Sequence, residues 1–187
     1  VELVLARGVH DKATRGHSGR VRVFADLIAD ERKIDAAGQA RLRWAALLHD
    51  VGKLEVPTAL LNKPGKPDAE EWKVLHRHHE EGARLVAPLL PWLGEWGRAV
   101  AEHNERYDGT GYPNHLKGHD ISLAARIVSV ADVYEVMTSP RPYKRTMSIA
   151  AARQELTRVA GTQLDPAIVR AFLNISVGRL WRTLGFV

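Results

Sequence analysis

Apolar positions recur every three to four residues along most of the chain, and polar, glycine and proline breakers cut the pattern into segments. Val1 to Ala13 reads as a lead-in, the end of an incoming helix. Val21, Phe24, Leu27 and Ile28 then mark a clear amphipathic helix, with Arg20, Arg22, Asp26 and Asp30 between them and His17 near its start. Asp35 is a candidate N-cap for a second helix reaching Leu48, in which Leu42, Ala45, Ala46 and Leu48 share a face while Arg41 and Arg43 face water. Val56, Leu60 and Leu61 suggest a short helical turn, broken by Lys63-Pro64-Gly65-Lys66-Pro67. Asp68-Ala69-Glu70-Glu71 has the form of a capping box and predicts a helix carrying Trp72, Leu75, His78, His79 and Leu85, up to a break at Pro88 to Pro91.

Trp92 to Glu105 resumes the helical pattern with Leu93, Trp96, Val100 and His103, and Asp108-Gly109-Thr110-Gly111-Tyr112-Pro113 ends it. Tyr107 to Asp120 is a long loop, a kind of segment that tends to carry function inside a compact domain. Ser122 to Thr138 predicts another helix around Ile127, Val130, Val133 and Met137, followed by the basic turn Pro140-Arg141-Pro142-Tyr143-Lys144-Arg145. Ser148 caps a helix that Gly161 ends, Asp165-Pro166 opens the next, and residues 175–187 form a tail helix. Strand alternation and internal repeats are both missing, so the pattern predicts one all-α domain over residues 1–187, a helical bundle.

Composition narrows the chemistry. A chain of 187 residues can bury its core without a disulfide or a structural metal, so a metal here would be catalytic. The absence of cysteine leaves only nitrogen and oxygen ligands and fits a reducing compartment. Lys and Arg exceed Asp and Glu by 27 to 22, a bias toward anionic partners such as phosphates. No apolar run approaches the roughly 20 residues that span a bilayer, and Val1 to His10 lacks the marks of a signal peptide, which suggests a cytoplasmic chain without membrane insertion. The apolar start without an initiator Met reads as a piece of a longer protein, with an upstream sensory or receiver domain, or signalling proteins, as expected partners.

The chemistry centres on Leu47-Leu48-His49-Asp50-Val51-Gly52-Lys53, where an apolar helical run stops on an imidazole, a carboxylate, a glycine and a lysine. Such a pair offers one nitrogen and two oxygen ligands, and an aspartate can bridge two cations. Taken alone it better suits a plain helix end, with Asp50 capping the next turn and Gly52 as the stop. His17, His49, Asp50, His78, His103 and Asp132, however, each fall on a helix or at its end, so six possible ligands could converge in a bundle core. Asp132 also lies inside the apolar run Ile127 to Val136, where a lone carboxylate is costly without a cation or hydrogen-bond partners.

Five segments together resemble the HD-GYP domains, a branch of the HD metal-dependent phosphohydrolases. They are Thr14 to Val21 around His17; Leu47 to Lys53; Glu70 to Gly82 around His78; His103 to Pro113 with its Gly111-Tyr112-Pro113; and Ala125 to Lys144 around Asp132. The resemblance implies an HD-type helical bundle that hydrolyses cyclic di-GMP, with pGpG or GMP as the product, at divalent metals, iron or manganese, through a hydroxide bridging them. It implies one metal on His17, His49, Asp50 and Asp132, with Asp50 bridging to a second on His78 and His103. It also implies that Asp50 and Lys53 serve catalysis, that Lys53, Arg141 and Lys144 meet the substrate, and that Tyr112 either stacks on the dinucleotide or packs against the bundle.

Some positions depart from the family pattern. Asn104 stands where a second histidine usually follows the one matching His103, which predicts a weaker second site or a harder ion there. Ala13 replaces the glutamate of three-metal members, so two metals are expected. His79 replaces a proline beside the ligand histidine, and the Trp72 to Gly82 spacing favours His78 as the ligand. His76 reads as a surface residue and His10, His115 and His119 as solvated, while Glu102 and Glu105 either orient imidazoles or face water. Asn104 keeps open a second reading, a catalytically weak domain that binds cyclic di-GMP or a signalling protein. A mononucleotide phosphohydrolase fits the Gly-Tyr-Pro loop poorly, and binding of a nucleic acid polymer would rest on net charge alone.

Overall fold

Capping residues place most helix starts where the sequence pattern puts them. The computed structural model describes residues 16–61, 63, 65–140 and 146–184, with the side chains of 181–184 left aside, so the predicted lead-in lies outside the described residues. Helix α1 (His17–Glu31) follows Gly16 at φ 81°, in the left-handed region that favours glycine. Helix α2 (Ala36–Leu48) is capped by Asp35, whose carboxylate accepts from the Gly38 amide at 2.7 Å. A 3-10 turn (Val51–Glu55) and the short α3 (Thr58–Leu61) lead to α4 (Ala69–His76), which carries both halves of the Asp68/Glu71 capping box. Then come α5 (His78–Val86), α6 (Leu90–Leu93), α7 (Ala99–Glu102), and the long α8 (Leu123–Thr138), whose Ser122 cap accepts from the Ala125 amide. Ser148 caps α9 (Ile149–Val159), Asp165 caps α10 (Pro166–Asn174), and α11 (Val177–Leu184) follows. Among the described residues there is no strand, only an isolated bridge between Ala160 and Leu164.

Two predicted helices are broken. The expected helix from Asp68 to Leu85 divides at Arg77 into α4 and α5. Helix α4 buries no residue, whereas α5 buries His78, His79, Gly82 and Val86 and is held tightly by the turn after Asp50. A Cβ on Gly52 would lie 1.9 Å from the His78 carbonyl oxygen and 2.5 Å from the Gly82 nitrogen, so only glycine permits this approach. Tertiary contact at α5 overrides the continuous periodicity. The Trp92 to Glu105 segment likewise becomes α6, a 3-10 stretch (Gly94–Arg98) and α7, with Gly94 at φ 54° marking the break.

The main core joins α1, α2, α8, α9 and α10 through Val21, Phe24, Ile28, Leu42, Ile127, Val130, Tyr134, Leu156 and Phe172, all buried. Phe24 meets Tyr134 and Phe172 edge to face, and those two rings pack tilted against each other, with centroids 4.5 to 6.3 Å apart. A smaller cluster of Leu48, Val51, Val86 and Val100 ties the end of α2 and the following turn to α5 and α7. Leu48 precedes His49 and Val51 follows Asp50, so this cluster anchors the chain on both sides of that pair. Each such fully buried side chain is worth about 1.5–3 kcal/mol against exposure.

Candidate metal centre

Asp50 sits between the end of α2 and the 3-10 turn, almost completely buried. Its two oxygens face different pairs of imidazoles. Oδ2 lies 3.5 Å from His49 Nε2 and 3.8 Å from His17 Nε2, while Oδ1 lies 3.6 Å from His103 Nε2 and 3.9 Å from His78 Nε2. Asp132 Oδ1 adds a second carboxylate 3.2 Å from His17 Nε2. Atoms that share an ion at bond lengths of about 2.0–2.2 Å stand roughly 3–4 Å apart, which is the spacing observed.

The outer partners aim these rings. His49, His78 and His103 place Nδ1 against the carbonyls of Ala46, Leu75 and Ala99, at 2.8, 2.6 and 3.2 Å, one helical turn earlier. Nδ1 then carries the proton and Nε2 presents its lone pair to the centre. His17 instead places Nδ1 2.6 Å from Glu135 Oε2, and Glu135 Oε1 accepts from Arg20 Nε at 2.8 Å. The Nε2 atoms of His49 and His78 are buried with no hydrogen-bond partner, a costly state that coordination would relieve. Burial lowers His49 to about 3 and His78 to about 4, although Asp50 opposes this, so both rings are neutral near pH 7. Burial also works to lower His17, but hydrogen bonds to Asp132 and Glu135 outweigh it and raise the ring to about 9. Burial favours the neutral form of Asp132 too, yet the His17 hydrogen bond holds its carboxyl below the ordinary range. The donor set of imidazoles and carboxylates fits divalent cations, with His17, His49 and Asp50 in one group that could hold an ion and His78, His79 and His103 in another.

Other predicted residues take distinct places. Lys53 donates to Asp50 Oδ2 at 2.8 Å and lines a cavity of about 290 Å³ with Lys63, Trp72, His78, Asn104 and Tyr112. Tyr112 stacks on His76 at 4.0 Å and meets His79 edge-on at 4.9 Å, so His76, though exposed, supports the tyrosine. Asn104 Nδ2 lies 2.8 Å from His103 Nε2 and 3.3 Å from His79 Nε2. Asn104 also lines a second cavity, of about 450 Å³, with Asp132, Met137, Glu155 and Gln163. Glu102 and Glu105 neither orient imidazoles nor face water: both are buried. Glu102 accepts from Arg98 Nε and the Ser122 amide, and Glu105 from the Asn114 and Leu116 amides, fastening the loop. Arg141 and Lys144 lie outside the described residues. Glu135 is the partner that sequence reasoning missed, and His79 is brought in beside His78 and His103.

The sequence profile of the HD domain matches residues 5–168, nearly the whole chain. The chain belongs to the HD domain family, in its HD-GYP branch. This HD-GYP chain is 40% identical over 165 residues to 3'3'-cGAMP-specific phosphodiesterase 3 of Vibrio cholerae, covering 87% of this chain and 36% of that protein. It is 40% identical over 166 residues to a cyclic di-GMP phosphodiesterase of Pseudomonas aeruginosa, covering 88% of this chain and 39% of the relative. The crystal structure of a cyclic GMP-AMP specific phosphodiesterase from V. cholerae superposes with a TM-score of 0.67 at 17% identity, over 97% of this chain and 51% of that one, a likeness of fold. The HD-GYP chain therefore spans between a third and two fifths of the length of these curated relatives. None of its described helices is long and apolar enough to cross a membrane.

Proposed function

We propose that this chain is a metal-dependent phosphodiesterase that opens a cyclic dinucleotide, with cyclic di-GMP as substrate and pGpG, then GMP, as products. The observation that carries the reading is Asp50, whose two oxygens each face a separate pair of imidazoles at 3.5 to 3.9 Å. His17, His49, Asp50 and Asp132 would hold one cation, and Asp50, His78 and His103 a second. Cations held there would polarise phosphoryl oxygens and supply a water nucleophile at neutral pH. Lys53, on the cavity wall beside Asp50, supplies a positive charge to a substrate phosphate. The two cavities share Asn104, one lined by His78 and the other by Asp132, which suits a ligand with two bases and phosphates between them. Tyr112, already stacked on His76, offers an aromatic wall to one base. Arg141 and Lys144 are proposed as further phosphate or guanine contacts.

Relatives named for both cyclic di-GMP and 3'3'-cGAMP make the choice of dinucleotide the finer question. The test is hydrolysis of cyclic di-GMP and 3'3'-cGAMP, side by side, by metal-loaded protein and by Asp50→Asn. We expect turnover of cyclic di-GMP in the wild type, and loss of both turnover and metal in the variant. Equal turnover by Asp50→Asn would sink the reading; preferential turnover of 3'3'-cGAMP would replace the substrate and keep the reaction.

A further inference from the structure

Resting on the two-cation reading, we propose that His79 is the third imidazole of the second cation site and stands in for the histidine that this chain lacks at position 104. His79 follows His78 at the start of α5 and is 1% exposed. Its ring centroid lies 3.9 Å from that of His78 and 5.1 Å from that of His103. One ring nitrogen from each of the three lies within 4.8 Å of the others, a grouping with no carboxylate of its own besides the facing Asp50 oxygen.

Two further observations separate a ligand from a packing residue. His79 Nδ1 is buried without any hydrogen-bond partner. An unpaired buried polar atom is destabilising, a penalty that an apolar side chain in the same space would avoid. The other observation is Asn104, whose amide nitrogen touches Nε2 of both His79 and His103. It sits against the two rings and holds them side by side, while a neutral amide oxygen is a poor substitute for imidazole. The polypeptide thus brings from α5 the nitrogen that it does not supply after His103. The two sites then differ: two imidazoles and two carboxylates for the first, three imidazoles and the Asp50 bridge for the second. The second site is not the weakened one that Asn104 alone predicts.

The test counts metals per chain by elemental analysis and measures affinity by chelator competition, after loading the whole chain with manganese or iron(II). Four forms are compared: wild type, His79→Ala, Asn104→Ala, and His79→Ala combined with Asn104→His. We expect two metals in the wild type and Asn104→Ala and one in His79→Ala. The affinity of the second site should fall by at least roughly 100-fold, the upper end of what losing even an outer-shell partner costs. The double variant should regain two, a recovery that a misfolded protein cannot give. Two tightly held metals in His79→Ala, or one in the double variant, would overturn the assignment. If the metal counts follow the expected pattern but no cyclic dinucleotide is hydrolysed, His79 stands as a ligand and the hydrolase reading falls.

Discussion

Replacing Glu135 with Gln should weaken the first cation site without unfolding the domain. Glu135 is fully buried on α8, with Oε2 2.6 Å from His17 Nδ1 and Oε1 bonded to the Arg20 guanidinium. His17 needs its proton on Nδ1 so that Nε2 faces Asp50 and Asp132 with a lone pair. A glutamine can keep its oxygen on Arg20 only by turning its NH₂ toward His17. That amide then donates to Nδ1, the proton moves to Nε2, and the coordinating nitrogen is blocked. Loss of such an outer partner lowers metal affinity by about 10–100-fold, or about 1.4–2.7 kcal/mol. Arg20 remains about a quarter exposed and can be solvated, so the cost falls on the metal more than on the fold. Chelator competition on Glu135→Gln, with metal counts for each site, reads the effect directly. The second site should hold its metal as before, while the first releases it at lower chelator concentration. First-site affinity equal to that of the wild type would refute the tautomer argument.

Gly52→Ala must push apart the turn and α5, because the new Cβ would stand 1.9 Å from a backbone oxygen. The cost should reach about 3 kcal/mol, the upper end of overpacking, or a melting point lower by roughly 6–12 °C in a chain of this size; a thermal melt unchanged from wild type would show that the contact relaxes freely. Stability of the metal-free protein should peak near neutrality, with a different sign on each side. His17 is raised from 6.5 to about 9, so its contribution is complete below about pH 6.5 and is lost as pH rises through 9. His49 and His78 are lowered to about 3 and 4 by burial, so theirs is complete above about pH 6.5 and is lost as pH falls toward 4. Melts of chelator-treated protein from pH 4 to 10 check this, and a melting point that is flat between pH 6.5 and 9.5 would contradict the His17 part.

Local signals carried much of the fold. Asp35, Ser122, Ser148 and Asp165 all accept hydrogen bonds from the first turn of the helix they precede, and the Asp68/Glu71 box is complete. These are short-range contacts between neighbours in sequence, so the side chains alone specify them. The break at Arg77 was not legible, because the periodicity from Trp72 to Leu85 runs through it. What decides it is a glycine some 25 positions earlier, Gly52, meeting the backbone of α5. The same holds for Glu135, whose partners His17 and Arg20 lie 118 and 115 positions away on α1. A signal did exist. Glu135 stands three residues after Asp132 in an apolar run, and Arg20 three after His17, so each helix presents a charged residue one turn from a candidate ligand.

The two halves of the centre lean on different packing. His49, His78 and His103 take their orientation from carbonyls within their own turns, so each ring is set as soon as its helix end forms. His78, His79 and His103 are then gathered by the small cluster of Leu48, Val51, Val86 and Val100. His17 has no such local anchor; it is oriented by Glu135, and its site is complete only when α1 lies against α8 through the main core around Phe24 and Tyr134. Ser129 of α8 links the halves by donating to the His103 carbonyl at 2.5 Å, so the helix that brings Asp132 also braces a residue of the other pair. Asp50, buried between the end of α2 and the following turn, faces imidazoles from both units. Its two oxygens face both sets of imidazoles only when both units are in place, so a metal bridge at Asp50 would be the point where folding and chemistry coincide.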